Sequence, residues 1–257
     1  MDLIVVCTVA LAASLLTFFS GFGLGTLLLP AFALFMPLPQ AVAATAVVHG
    51  LNGLFKLALV GRHVDRDTVL RFGLPAIVAA FVGAWVLGLL GDLPPLYAWE
   101  GFGRRFATTP IALTLGVLLM LFALVELVPT LRDKEFHPRW MPLGGLLSGF
   151  FGGLAGMQGA LRSAFLARAG LDKHAFVATG AAIAVLIDAV RTATYARDLA
   201  EEFARLDLAL LGAAVASAFL GAWLGNRMLK KVTLTGVQRV VAAFLFVFAI
   251  GLVAGLL

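Results

Sequence analysis

Apolar residues occupy most of the chain in long runs, and polar residues gather between the runs. Six runs have roughly the 20 residues that a helix needs to cross a hydrocarbon core about 30 Å thick. These predicted crossings are residues 41–60, 69–90, 109–128, 175–195, 208–228 and 236–257. The alternation of polar and apolar residues that is typical of membrane β-strands is absent from the sequence. The pattern therefore predicts an all-α, polytopic integral membrane protein.

Glycines interrupt two further apolar stretches, residues 3–36 and 141–169. The interrupting glycines are Gly21, Gly23 and Gly25 in the first stretch and Gly152, Gly153, Gly156 and Gly159 in the second. The segment after each interruption has only about 10–13 residues, which at about 1.5 Å per residue is too short to cross the bilayer. Each stretch therefore predicts a broken helix or re-entrant hairpin. Together with about six full crossings, the chain is expected to contain roughly eight to ten helical segments.

The same signals occur twice along the chain, in the same order. The sequence Phe-x-Gly-Ala-Trp occupies residues 81–85 and 219–223, and the pair Ala-Thr occupies residues 44–45 and 178–179. The two glycine-rich interruptions are a further match. Because the separations between partners stay nearly constant, the chain is predicted to be a duplicated unit, which in an apolar protein points first to a transporter.

The Lys and Arg residues predict how the crossings are oriented. If each hairpin returns to the side it entered from, one side of the membrane carries twelve Lys and Arg residues and the other carries four. Because cytoplasmic loops are enriched in these residues, we expect both termini on the outer side of the membrane. Each half, residues 1–130 and 131–257, then has a hairpin and three crossings. The odd number of crossings inverts the second half, so the prediction is an inverted-topology repeat within one membrane domain.

Composition supports the membrane assignment and narrows the function. Hydrophobic residues make up 61% of the 257 residues and charged residues 13%, against about 45–50% and 25% in soluble domains. The net charge of +5 is explained by cationic cytoplasmic loops, so no nucleic-acid partner is expected. The sequence has no Walker loop, dinucleotide fingerprint or metal-ligand signature. We therefore expect no enzymatic activity, no catalytic residues, no metal and no cofactor.

The glycine-rich breaks are the first candidates for chemistry. Unwound backbone at membrane depth is tolerated only where it is buried in protein or lines a cavity. The helix after each break begins with unpaired N–H groups, which favour an anion, so the two breaks are predicted to converge near the midplane on a small anion. The residues assigned to this site are Gly21, Gly23, Gly25, Thr26, Gly156, Gln158, Gly159 and Ser163. The alternative that the glycines only allow tight packing stays open.

Arg162 follows the second break and is predicted to lie at membrane depth. A guanidinium there is costly unless it is paired. We therefore expect an anionic substrate or a carboxylate close by, with a structural ion pair or a snorkelling side chain as the alternative.

Polar side chains also mark two of the predicted crossings. His49, Asn52 and Lys56 share one helical face, which must face protein or water. Lys56 could instead snorkel to the inner surface, and His49 could be a hydrogen-bonded packing residue. Asp188 and Arg191, at i and i+3 in the matching crossing, predict an internal salt bridge. If transport is coupled to protons, His49 and Asp188 are the titratable candidates.

The sequence resembles the TauE/SafE sulfite exporter family over nearly its whole length. The resemblance is carried by the Ser-Gly-Phe-Gly-Leu-Gly opening at residues 20–25, Pro30, Ala-Ala-Thr at residues 43–45, the glycine cluster at residues 152–159, and the repeated Gly-Ala-Trp at residues 83–85 and 221–223. It implies a bacterial inner-membrane permease for small anions, chiefly sulfur oxyanions and sulfonates such as sulfite or sulfoacetate, often acting as an exporter.

The sequence and this resemblance together predict a secondary transporter of a small anion, working by alternating access in the lipid bilayer. An anion channel and a non-transporting membrane scaffold subunit are the alternatives. A scaffold role would not require two matched helix breaks, so the breaks favour a transporter over a scaffold. Small-residue surfaces are compatible with a homo-oligomer whose order the sequence does not fix.

Overall fold

The computed structural model describes residues 1–20, 23–101, 103–128, 130, 135–228 and 235–256. Its helices are α1 (Asp2–Ser20), α2 (Leu24–Ala33), α3 (Leu38–Val60), α4 (Arg66–Gly91), α5 (Pro110–Leu127), α6 (Met141–Ala155), α7 (Gly159–Leu166), α8 (Lys173–Asp198), α9 (Ala200–Ala204), α10 (Leu208–Met228) and α11 (Thr235–Val253). Helix α4 includes a π-helical segment, Val69–Gly73. Short 3-10 helices occupy Gly61–His63 and Pro138–Trp140.

The helical content confirms the prediction of an all-α, polytopic membrane protein. Within the described ranges, four helical segments are long and apolar enough to cross a membrane: Leu38–His63, Arg66–Gly91, Lys173–Asp198 and Leu208–Arg227. They coincide with four of the six predicted crossings. The other two coincide with α5 and α11, whose apolar described parts, Pro110–Val125 and Val241–Val253, are shorter. Full crossing by α5 and α11 stays a prediction.

Both predicted interruptions of the apolar stretches are present. Helix α1 ends at Ser20 and α2 begins at Leu24, after Gly23 with φ 123°. Helix α6 ends before Gly156, which has φ 73° in the left-handed region, and α7 begins at Gly159. Positive φ angles favour glycine because a Cβ would clash with the main chain. The legs after the breaks are short, 10 residues in α2 and 8 in α7.

Helix packing follows a matched scheme in the two halves. Helix α1 packs against α10, and its counterpart α6 packs against α4. The pairs α3 with α8 and α5 with α11 each join equivalent helices of the two halves. Exchanging the halves leaves these partnerships unchanged, which supports the predicted duplication. Opposite orientation of the halves in a membrane stays a prediction.

Glycines bring the backbones of the packed helices together. A Cβ at Gly83 of α4 would overlap the main chain of α6, and a Cβ at Gly221 of α10 would overlap that of α1. Small residues allow this approach where water cannot drive helix association. The repeated Phe-x-Gly-Ala-Trp sequence therefore joins each half to the first leg of the other half's hairpin. Trp85 and Trp223 of the same motifs lie partly exposed on the outer surface.

One short β-hairpin, not predicted from the sequence, lies between α4 and α5. Strands β1 (Tyr97–Gly101) and β2 (Arg104–Thr108) pair antiparallel, with Trp99 opposite Phe106. Trp99 Nε1 donates to the carbonyl oxygen of Ala254 (2.9 Å), just beyond the end of α11. The hairpin therefore packs on the C-terminal end of α11.

Candidate functional site

The two helix breaks touch in the interior of the protein. A Cβ at Gly25, in the first turn of α2, would lie 2.8 Å from the carbonyl oxygen of Gly156 and 3.4 Å from Cδ2 of His49. Gly156 is the left-handed residue that ends α6. The contact therefore brings the start of α2 in the first half against the break in the second half.

A cavity of about 50 Å³ lies beside this contact. At about 10–15 Å³ for each water-sized occupant, it has room for a few waters or one small anion. Ten of the fourteen predicted site residues line it: Gly23, Gly25, Thr26, His49, Asn52, Lys56, Gly156, Gly159, Arg162 and Ser163. Gln158, Asp188 and Arg191 are buried and contact the lining residues or one another, and Gly21 lies outside the described residues.

Two bare helix starts contribute main-chain donors to the cavity. The first main-chain hydrogen bond of α2 runs from Leu27 N–H to the Gly23 carbonyl (2.9 Å), and that of α7 from Arg162 N–H to the Gln158 carbonyl (3.0 Å). The three N–H groups that precede each of these bonds have no partner within their helix. No side chain caps either start. Both ends therefore present donors that have no partner in their own helix, together with a partial positive charge.

Lys56 is anchored to the cavity wall. Its Nζ donates to Thr17 Oγ1 of α1 (3.0 Å) and lies 5.8 Å from the Phe18 ring centroid. Ser14, one turn earlier on α1, donates to Asn52 Oδ1 (3.1 Å). These contacts favour a role in the cavity over snorkelling to the membrane surface. In the described part of the chain, no carboxylate pairs with Lys56.

Asp188 holds three groups behind the cavity wall. His49 Nδ1 lies 2.5 Å from Asp188 Oδ2, while Arg191 Nε (2.8 Å) and Gln158 Nε2 (3.2 Å) donate to Oδ1. The predicted salt bridge between Asp188 and Arg191 is therefore present, and both side chains are fully buried. The partner of His49, in contrast, comes from the equivalent helix of the other half.

Gln158 links this network to Arg162. Its Oε1 accepts a hydrogen bond from Arg162 Nη1 (3.1 Å), and its main-chain carbonyl accepts one from Ser148 Oγ (3.0 Å). The amide therefore bridges the cavity-lining guanidinium and the buried carboxylate of Asp188, which fixes the position of Arg162 at the start of α7.

The profile of the sulfite exporter TauE/SafE family matches residues 6–252. The chain belongs to this family. It is accordingly a sulfite exporter-type membrane transporter. No curated protein sequence matches the chain.

In this TauE/SafE transporter, the charged groups in and behind the cavity wall carry a net positive charge. Among the described residues, Asp188 is the only carboxylate of the network; it pairs with Arg191, while Lys56 and Arg162 line the cavity. Even without the Lys56 amine, two guanidiniums against one carboxylate leave an excess of positive charge, which is costly in a low-dielectric interior. An anion in the cavity would offset that cost.

Arg191 of this TauE/SafE chain has unused hydrogen-bonding capacity. Its Nη1 and Nη2 are buried without a hydrogen-bond partner among the described residues. A Cβ at Gly156 would lie 2.5 Å from Nη1, so only glycine leaves room for the guanidinium behind the break. The hydroxyl of Tyr195, one turn after Arg191, shares its proton between the carbonyl oxygens of Gly153 and Leu154 and holds the end of α6 in place.

Sequence reasoning missed the α1 side of the cavity. Ser14 and Thr17 are i and i+3 on an otherwise apolar helix, which is the same signal that identified the polar face of α3. Gly180 was also missed: a Cβ there would lie 3.4 Å from Arg162 Nε, so this glycine leaves space for the guanidinium.

Proposed function

We propose that this chain is a secondary transporter of small anions, most directly sulfur oxyanions or organosulfonates such as sulfite or sulfoacetate, and that it works by alternating access. The observation that carries the proposal is the cavity between two uncapped helix starts, with Lys56 and Arg162 on its wall.

The chemistry of the wall suits an oxyanion. A sulfite or sulfonate group has three oxygens that accept hydrogen bonds in different directions. The cavity offers donors in different directions as well: main-chain N–H groups from α2 and α7, the Lys56 ammonium and the Arg162 guanidinium. Charge-assisted hydrogen bonds of this kind are about twice as strong as neutral ones. A spherical anion such as chloride would use fewer of these donors.

The position of the cavity supports an inward-facing assignment of this conformation, in which the anion reaches the cavity from the cytoplasm. Lys56 lies near the end of α3, and Phe176 lies near the start of α8; both line the cavity. These are the helix ends predicted to be cytoplasmic. We therefore propose that the anion is loaded from the cytoplasm, as an exporter in the inner membrane requires, with both termini on the periplasmic side. The matched packing of the two halves would allow the opposite state to form by exchange of their conformations.

Ligand binding and counterflow test the proposal. Sulfite and sulfoacetate are expected to raise the melting temperature of the purified protein, and chloride at the same ionic strength is not. In proteoliposomes, unlabelled anion inside should accelerate entry of labelled anion. Absence of this trans-stimulation, with anion flux present, would indicate a channel instead.

Substitutions of Arg162 test the proposed anion site in the same binding and counterflow assays. Arg162→Ala should abolish both the stabilisation and the counterflow, and Arg162→Lys should restore part of each because it keeps the charge. Arg168→Ala is the matched control, since Arg168 is exposed and pairs with Glu135 at 2.9 Å. Unchanged binding and transport in Arg162→Ala would contradict the proposed site.

A further inference from the structure

His49 connects the cavity to the buried charge network. Its imidazole lies on the cavity wall with 14% of the side chain exposed, whereas its partner Asp188 is 1% exposed. Within the described ranges, the hydrogen bond from Nδ1 to Asp188 is the only one that the imidazole makes. The Cδ2 edge of the ring, next to Nε2, faces Gly25 at the uncapped start of α2. Nε2 is therefore left for an occupant of the cavity.

Charges from three helices act on the imidazole. Asp188 of α8 favours the imidazolium, and its negative charge is shared with Arg191 on the same helix. Arg162 of α7 and Lys56 of α3 oppose protonation because they are cations at the same cavity. Helices α1 and α2 contribute neutral groups there, including Thr17 and Thr26. With the cavity empty, one carboxylate favours the proton and the positive charges around the cavity oppose it.

An anion in the cavity changes this balance. Its negative charge offsets the repulsion from Lys56 and Arg162 and favours the imidazolium, whose Nε2–H can then donate to an anion oxygen. Binding linkage is reciprocal, so a proton on His49 must raise the affinity for the anion by the same factor by which the anion raises the affinity for the proton.

We propose that His49 carries one proton with each anion, which makes the protein a proton–anion symporter. This inference rests on the proposed function, because it takes the cavity as the anion site. Nε2 takes the proton from water on the loading side and returns it to water on the other side, and no covalent bond of the anion changes. One proton moving with one monovalent anion transfers no net charge. The direction of net transport is then set by the sum of the anion and proton gradients, so export requires an outward anion gradient larger than the inward proton gradient.

Labelled methanesulfonate in proteoliposomes is a suitable probe, because it is monovalent and stays ionised at neutral pH. Its uptake should be several-fold faster with acid outside than at equal pH, and a potassium-diffusion potential should leave the rate unchanged. A pH-sensitive dye in the lumen should report acidification when methanesulfonate is added outside. These measurements use the wild-type protein and do not depend on the folding of a variant.

His49→Gln assigns the effect to the imidazole, since glutamine keeps a donor toward Asp188 but cannot carry a proton. Whatever transport remains in this variant should no longer respond to the pH gradient. His137→Gln, at an exposed position, is the matched control and should respond as the wild type does.

The outcomes separate the two proposals. Wild-type counterflow without a gradient response or luminal acidification would overturn the coupling and leave the proposed function standing. A gradient response that survives in His49→Gln would overturn the role of His49. Failure of the wild type to exchange any sulfur anion would overturn the proposed function and the coupling together.

Discussion

Gly25 in the first turn of α2 lies against the main-chain carbonyl of Gly156, at the break of the other hairpin. Their backbones approach so closely that a Cβ at position 25 would lie 2.8 Å from the Gly156 oxygen. This contact joins the two halves of the chain at the cavity. It explains why glycine is required at a helical position, where it otherwise weakens the helix.

Gly25→Ala should therefore lower both stability and anion transport. The methyl group must displace the backbone of one break, and overpacking of this kind costs about 1–3 kcal/mol. Thermal unfolding in detergent and counterflow would measure the two effects. Gly212→Ala is the matched control, because a Cβ at Gly212 of α10 would meet nothing within 4 Å. The control should be neutral or slightly stabilising. Equal behaviour of the two variants would contradict a tight junction at Gly25.

Lys56→Met should weaken anion binding by about 10–100-fold, since a hydrogen bond to a charged group contributes about 1.5–3 kcal/mol. Thr17→Val, which removes only the hydroxyl that positions Lys56 Nζ, should cause a smaller loss. Titration of sulfite against the melting temperature gives the affinities. Lys173→Met is the control, because Lys173 is exposed at the start of α8. Loss of affinity in the control as large as in Lys56→Met would point to general surface charge instead of the cavity.

Local spacing predicted the parts of the site that depend on a single helix. Asp188 and Arg191 form their salt bridge because residues at i and i+3 are neighbours on any α-helix. The breaks could be predicted because glycines interrupt two apolar stretches, and each stretch is too long for one crossing but too short for two. Ten of the predicted residues consequently line one cavity.

Contacts between distant helices could not be predicted in this way. His49 and Asp188 are 139 positions apart, and their contact depends on how α3 and α8 pack. The bond between Lys56 and Thr17 likewise depends on the placement of α1 beside α3. The β-hairpin gave only a short alternating signal at Tyr97 and Trp99, and its packing on the end of α11 is a tertiary feature.

Asp65 is expected to make stability depend on pH at the N-terminus of α4. Hydrogen bonds from the Thr68 hydroxyl and then from its main-chain N–H hold the pKa of Asp65 below its ordinary value of 3.8. A carboxyl whose pKa is lower in the folded state contributes stability above the ordinary pKa and loses it as the pH falls through the folded one. Asp65→Ala should therefore melt below the wild type at pH 6, and the difference should shrink below pH 3.8.

Asp67→Ala serves as the control for this pH profile, since Asp67 is exposed and its ion-pair partner among the described residues is Arg71, one turn away. Its melting temperature should stay close to that of the wild type at both pH values, because exposed pairs contribute little. A difference between Asp65→Ala and the wild type that persists unchanged to pH 3 would show that the carboxylate is not its source.

The buried pair of Asp188 and Arg191 should behave as a unit. Arg191→Met leaves the buried carboxylate of Asp188 with His49 and Gln158 as its partners among the described residues. Breaking a buried ion pair in this way costs about 3–5 kcal/mol. Asp188→Asn leaves the guanidinium of Arg191, already short of partners at Nη1 and Nη2, without its carboxylate. The double variant removes both charges, so its loss of stability should be well below the sum of the two single losses. Thermal unfolding of the four proteins gives this coupling. Additive losses would show that the pair is not an energetic unit, and the buried charges would then have to be compensated by other groups around the cavity.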